Sequence, residues 1–258
     1  MNPEQQHTTT AIFGVRIDAT GHALSAAAKV ADAAAARQSG TVCVSNVDML
    51  TRAVRDPGLR QVMHDARMVV TDGMPLVWVL RSLMGMPWAQ RVYGPQLMHD
   101  VCKLAAQRGL KVFLYGGSTH ELTVLQQRLK AELPSLQIVG AVSPPMLPER
   151  PPRDPGIEAE IRASGAHLVF VGLGCPKQEF WMAQHAAHLP AISLGVGLAF
   201  AQLAGLKARA PVWMQQTGLE WLFRLVQEPR RLWRRYLVGN SLFIWYLLKQ
   251  MTGGFANR

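Results

Sequence analysis

A chain of 258 residues, 49% of them hydrophobic, can bury a real core, which excludes a disordered protein and fits one large α/β domain or one domain with an appendage. Lysine and arginine outnumber aspartate and glutamate 27 to 17, and nine basic against two acidic residues fall between Gly205 and Arg258. That stretch therefore carries most of the net charge of +10, an asymmetry that suggests an anionic partner. Cys43, Cys102 and Cys175 show no Cys-x-x-Cys spacing, which argues against a disulfide framework and a zinc site.

In chain order, the polar stretch Met1–Thr10 lacks the basic-then-apolar pattern of a secretory signal. Apolar, β-branched runs then predict strands over 11–17, 41–45, 68–71, 111–115, 137–141, 167–172 and 191–196. Stretches of helical period lie between most of them, over 47–66, 75–83, 96–108, 121–133, 157–163 and 177–188. This alternation predicts a mainly parallel, Rossmann-like sheet flanked by helices. Six of the sixteen prolines crowd into Ser143–Pro155, which reads as an extended surface loop, either a plain connector or a flap over a site. His185 and His188 sit three apart without a third ligand nearby and read as a solvated pair.

After Gly205 the β/α alternation stops, so a boundary is expected there between a catalytic core over residues 1–205 and a basic helical C-terminal appendage over 206–258. At 100° per residue the helix after Pro229 gathers Leu232, Trp233, Tyr236, Leu237, Phe243, Ile244, Leu247 and Leu248 on one arc, with Arg231, Arg234, Arg235 and Lys249 on another. Such a helix either packs its apolar stripe on the core or lies on an anionic membrane surface. The apolar run Leu242–Leu248 is far short of the roughly 20 residues needed to span a bilayer. A cytoplasmic protein, peripheral at the inner membrane face, is expected.

In an open α/β sheet, ligands collect beyond the carboxyl ends of the strands. Those ends here read Ser45-Asn46, Asp72-Gly73, Gly116-Gly117-Ser118, Gly172 through Glu179 and Gly195 through Gly197. Asp72 can serve as a general base in a cleft or merely cap the following helix, and Asn46 faces the same two readings. Gly116 and Gly117 can let backbone N–H groups approach a phosphate, or can simply be what a tight strand-to-helix turn requires. Lys177, Gln178 and Glu179 at one helix start suit phosphate and hydroxyl recognition, against a plain solvated helix terminus.

These residues, with Gln90 through Gly94, Phe113 through Gly117, Arg209-Ala-Pro and the run from Gly218-Leu-Glu-Trp to Glu228-Pro-Arg, resemble the WecG/TagA/CpsF family of bacterial glycosyltransferases over about residues 10–240. The resemblance implies an inverting transfer, without an essential metal or other cofactor, from a UDP-sugar to a polyprenyl-diphosphate-linked saccharide in surface or exopolysaccharide synthesis. The sugar would be of N-acetylmannosamine type or another hexose derivative. The family's catalytic aspartate falls on Asp72, its asparagine on Asn46, its arginine on Arg91 and its glutamine on Gln178. Ser45, Gly116, Gly117, Lys177 and Glu179 complete the expected substrate site, and Arg209, Arg224, Arg231, Arg234 and Arg235 the expected contacts to the acceptor diphosphate or membrane. Two positions depart from the family: Val44 stands where a threonine is expected two residues before the asparagine, and Ala201 where an acidic residue often follows the phenylalanine. No nucleic-acid-binding motif is present, so a nucleic-acid partner is not expected. A noncatalytic, membrane-associated nucleotide-sugar-binding or scaffold protein is the alternative, and both a monomer and a homo-oligomer stay open.

Overall fold

The computed structural model describes residues 6–254, so the first five residues of the polar N-terminal stretch and the last four of the basic tail lie outside the described residues. The chain opens with an antiparallel hairpin, β1 (His7–Ile12) and β2 (Val15–Thr20), followed by α1 (Ala23–Ala35). Then come β3 (Gly40–Ser45), α2 (Val47–Arg55), α3 (Pro57–Asp65), β4 (Met68–Thr71), α4 (Met74–Ser82) and α5 (Gly94–Arg108). The second half holds β5 (Lys111–Gly116), α6 (Thr119–Glu132), β6 (Gln137–Val142), α7 (Pro155–Ser164), β7 (Leu168–Gly172), α8 (Lys177–His185), β8 (Ile192–Gly195) and α9 (Ala199–Leu203). The remainder is helical: α10 (Val212–Gln216), α11 (Glu220–Gln227) and the long α12 (Pro229–Met251).

Six parallel strands form the central sheet in the order β4-β3-β8-β7-β5-β6. Helices cover both faces, which is why the inner strands read as continuous apolar runs rather than alternating ones. Leu50, Met63, Trp181 and Phe243 pack on one face together with the hairpin. Val30, Leu97, Leu125 and Phe200 pack on the other. Since the strands are parallel, their carboxyl ends share one rim, where Ser45, Thr71, Gly116, Gly172 and Gly195 lie.

Three expectations about the secondary-structure elements change. The strand expected over 11–17 is instead a hairpin that turns at Phe13 and Gly14, whose φ angles of 54° and 72° make the two-residue turn that suits twisted antiparallel strands. Asp18 of β2 is fully buried and fastens the hairpin beside the edge strand β4, accepting from Val69 N at 2.7 Å and from Thr9 Oγ1 at 2.6 Å. The helix expected over 47–66 is two, because Pro57 has no N–H to continue the ladder; Asp56 closes α2 and caps α3, accepting from Gly58 N at 2.9 Å. Finally, α1 was not expected at all. Its alanine-rich sequence offers little apolar and polar contrast, yet Ala26, Ala27, Ala31 and Ala34 are buried close to α5 because their small side chains permit it.

His185 is buried rather than solvated. Its Nδ1 lies 2.6 Å from the Trp181 carbonyl and must carry the proton there, which leaves Nε2 to accept from Asp154 N at 3.0 Å. Burial lowers the pKa of this imidazole, and its two bonds tie the end of the proline-rich loop to α8. Arg150 in the same loop pairs with Asp56 at 2.8 Å and stacks on Phe180.

The apolar arc of α12 is divided between buried and exposed positions. Leu232 and Phe243, with Tyr246 beyond the expected arc, are buried, whereas Trp233, Leu237, Ile244 and Leu248 are exposed. Phe13 sits in the left-handed region, which costs a non-glycine residue about 1 kcal/mol, and what holds it is its ring, packed edge-on against Phe243 at 5.4 Å and beside Tyr246 at 5.7 Å. Its N–H also donates to Gln250 Oε1 at 2.9 Å. Phe13→Ala should therefore destabilise the protein by about 3 kcal/mol, the usual cost of deleting a buried ring, read as a lower urea midpoint. An unchanged midpoint would mean that the hairpin turn does not anchor α12.

Candidate active site

A cleft of about 350 Å³ opens between the β3 and β4 ends of the rim and the C-terminal helices. From the core, α2 contributes Asp48 with its cap Asn46, and the β4–α4 segment contributes Asp72, Met74 and Trp78. From the tail, α11 contributes Glu220, Trp221 and Arg224, while α12 contributes Arg235, Tyr236 and Ile244. Charged groups thus sit inside a wall of aromatic and aliphatic side chains, where their interactions are less screened than in water. Gly218 makes the approach of α11 feasible. It adopts φ 72°, and a Cβ there would meet the Trp78 ring at 2.8 Å, so only glycine lets the chain pass close enough to deliver Glu220 two residues later.

At the centre is an ion cluster. Asp72 does not cap α4, whose cap position is Gly73 with no side-chain bond. Its Oδ1 instead accepts from Arg91 Nη2 at 2.8 Å and Nε at 3.2 Å, and Nε also donates to the Asp72 carbonyl at 2.6 Å. Glu220 Oε2 lies 2.5 Å from the same Nη2. One guanidinium is shared by two carboxylates. All three side chains are largely enclosed, at 20% exposure for Asp72, 14% for Arg91 and 15% for Glu220. Burial is the largest influence on Asp72 and raises its carboxyl to about 6; Glu220 adds to the rise and Arg91 opposes it. A second ion pair crosses the cleft between Arg235 and Asp48 at 2.9 Å. Arg224 also lines the cleft and has no ion-pair partner among the described residues.

The expected site residues divide accordingly. Asp72, Asn46, Arg91, Arg224 and Arg235 come together in the cleft. Asn46 is also a cap, its Oδ1 accepting from Met49 N at 3.1 Å. Ser45 lies beneath, fully buried, with its carbonyl accepting from Asp72 N at 2.7 Å. Arg91 is engaged with protein groups on three sides, including a longer contact to the Gln215 carbonyl at 3.5 Å, so its first task is to join the tail to the rim.

The residues at the β5, β7 and β8 ends do not line this cleft. Gln178 is buried, with Oε1 accepting from Gly174 N at 3.1 Å and Nε2 donating to Glu179 Oε1 at 2.8 Å, so it holds the loop after β7. Glu179 is wholly enclosed, and burial raises its carboxyl to about 7. Gly116 answers to packing, since a Cβ there would lie 2.7 Å from the Gly172 backbone. Gly117 abuts the Glu121 carboxylate, which sits in the first turn of α6. Lys177 is half-buried and reaches no carboxylate among the described residues, its Nζ lying 3.8 Å from Met146 Sδ.

Among the tail arginines outside the cleft, Arg209 is exposed, Arg231 pairs with Glu228 at 2.7 Å and Arg234 stacks on Trp233. Glu220 and Asp48 are cleft residues that were not expected from the sequence. The signal for Glu220 was the run Gly218-Leu-Glu-Trp, a glycine placed to bring a carboxylate inward. Among the described residues, no three His, Cys, Asp or Glu side chains gather to hold a metal ion. The family model described as the glycosyl transferase WecG/TagA/CpsF family matches residues 10–256.

Removing the shared cation would leave two enclosed carboxylates facing each other. Arg91→Ala should cost about 3 kcal/mol or more of stability in denaturant unfolding, as loss of one partner of a buried pair does. A stability within experimental error of the parent would show that Arg91 does not hold the tail helices to the rim.

Proposed function

We propose that this chain, which belongs to the WecG/TagA/CpsF family of UDP-sugar-dependent glycosyltransferases, carries out an inverting, metal-free transfer to a polyprenyl-diphosphate-linked acceptor, with Asp72 as general base. Family membership makes the protein an enzyme rather than a scaffold. The observation that carries the mechanistic reading is Asp72 itself, a carboxylate at a strand end, in a cleft, with one oxygen held by Arg91 and its proton affinity raised.

In this mechanism the acceptor hydroxyl attacks the anomeric carbon of the donor as Asp72 takes its proton, and the bond to the UDP oxygen breaks with inversion. Negative charge then develops on the departing diphosphate. Arg224 has no carboxylate partner among the described residues, and Arg235 shares Asp48 with Arg52, so these two supply positive charge where the tail meets the rim. Guanidinium groups suit the task because they bind phosphate oxygens in pairs. The donor sugar, of N-acetylmannosamine type or another hexose derivative, occupies the rim beside Asn46, with Gln178 and Glu179 shaping the adjoining loop.

The acceptor is lipid-borne, and the tail has a surface suited to reach it at the inner face of the cell membrane. Trp233, Leu237, Ile244, Trp245 and Leu248 are exposed on α12, and Val212, Trp213 and Val226 on α10 and α11, with Arg231, Arg234 and Lys249 beside them. No helix among the described residues is long and apolar enough to cross a membrane. Peripheral attachment by aromatic burial and basic charge is the arrangement such a surface serves.

Asp72→Asn should lower turnover by about 10²-fold or more with the fold intact, because the amide keeps the shape and loses the basic function. In the parent enzyme the rate should rise with pH through about 6, where Asp72 ionises, and should survive excess EDTA. Both are measured by UDP release with a short-chain lipid-diphosphate acceptor. Near-parental turnover in the variant, or activity that vanishes with EDTA and returns with Mg²⁺, would overturn the reading.

Arg231→Glu with Arg234→Glu should weaken binding to anionic vesicles at least about 30-fold, at about 1 kcal/mol per basic residue, and leave neutral vesicles unaffected. Arg235→Glu should act differently, reducing turnover even with a water-soluble acceptor, since Arg235 faces the cleft. Co-sedimentation unchanged by the double reversal would return the tail to a purely packing role.

A further inference from the structure

We propose that Glu220 is a positioning residue for the transfer: by sharing the Arg91 guanidinium with Asp72, it keeps the base from being fully paired, so that α11 sets the readiness of the strand-end carboxylate. This rests on the reading of Asp72 as general base. Glu220 touches neither reacting group in this arrangement; it acts through Arg91.

The geometry carries the argument. Arg91 Nη2 has two carboxylate oxygens, Asp72 Oδ1 at 2.8 Å and Glu220 Oε2 at 2.5 Å, and the Glu220 contact is the shorter. Arg91 Nε is divided as well, lying nearer the Asp72 carbonyl at 2.6 Å than the Asp72 carboxylate at 3.2 Å. An aspartate paired with an arginine all its own is held ionised and has little affinity for a proton. Here the second carboxylate draws on the same cation, and its own charge opposes that of Asp72. Burial is the largest cause of the raised Asp72 carboxyl, and the Glu220 charge adds to it while Arg91 opposes it.

The other charged and titratable groups around the cleft do not replace this effect. From α2 comes Asp48, already paired with Arg235 of α12; from the segment before α5 come Arg91 and Tyr93; from α11 come Glu220 and Arg224; and Tyr236 projects from α12. Burial raises the Tyr93 phenol, which therefore stays neutral, and its hydroxyl donates to Gln202 Oε1 at 2.7 Å. Glu220 is the carboxylate bonded to the same nitrogen as Asp72. Because it belongs to the tail and Asp72 to the core, the base acquires this state only where α11 is docked, with Gly218 permitting the approach.

The test uses the full chain with Glu220→Gln, which keeps shape and a hydrogen-bond acceptor and removes the charge. The titration of Asp72 is followed by carbon NMR of labelled aspartate, and the acid limb of kcat/KM is measured beside it. The Asp72 midpoint should fall from about 6 towards the ordinary aspartate range, the acid limb should move down with it, and kcat at pH 8 should drop about threefold to tenfold with donor KM nearly unchanged, since a weaker base transfers protons less well. Glu220→Asp, which retains the charge at greater distance, should fall between the two and guards against a folding defect in the amide variant. An unmoved Asp72 midpoint in a folded Glu220→Gln protein would overturn the positioning role. A midpoint that moves while the acid limb stays would instead overturn the assignment of that limb, and so of the base, to Asp72.

Discussion

One guanidinium between two carboxylates is the constraint on which the rest of this architecture turns. Arg91 joins Asp72, at the carboxyl end of the edge strand β4, to Glu220, on a helix that arrives almost 150 residues later in the chain. In an enclosed setting neither carboxylate is tolerable beside the other without the cation, and the cation is equally costly without them. The interaction is therefore mutual. It fixes the side chain of the candidate base, closes one wall of the cleft and makes the tail helices part of that wall.

Packing around this cluster is arranged so that the helices can come close. Gly218 passes under Trp78, and Arg235 reaches across to Asp48 at the first turn of α2. Further along, Phe13 accepts a left-handed backbone because Phe243 and Tyr246 enclose its ring, which ties the N-terminal hairpin to the same long helix. The sheet itself is drawn tight by glycines at the strand ends, where Gly116 meets the Gly172 backbone and Gly172 lies under Phe200. A rim built this closely leaves room for function mainly where the tail covers β3 and β4.

The long helix α12 has a buried side and an exposed side, both of them partly apolar. A helix surface is wide enough for Leu232, Phe243 and Tyr246 to enter the core while Trp233, Leu237 and Leu248 stay in solvent. Arginines follow the same division. Arg235 turns inward to the cleft, whereas Arg231 and Arg234 remain on the outer surface. A cluster of like charges in sequence thus serves two different environments, because successive helical positions are separated by 100°.

The parallel sheet, the sequence order of most of the elements, and Asp72 and Asn46 as candidates were legible in the sequence, since buried parallel strands and strand-end polar residues leave local patterns, whereas Arg91 was reached only through the family resemblance. The alanine-rich α1 left none, and the Phe13 turn was hidden because its stability comes from Phe243 and Tyr246, more than two hundred residues away. The roles of Gln178 and Glu179 were also beyond local reading, for a polar run at a helix start looks alike whether it faces solvent or, as here, is buried. What tertiary structure alone decided is which charges meet. Composition and spacing determine that a basic, amphipathic tail follows an α/β core, but an ion pair depends on distances through space, and only folding brings Glu220 to Arg91 and Arg235 to Asp48.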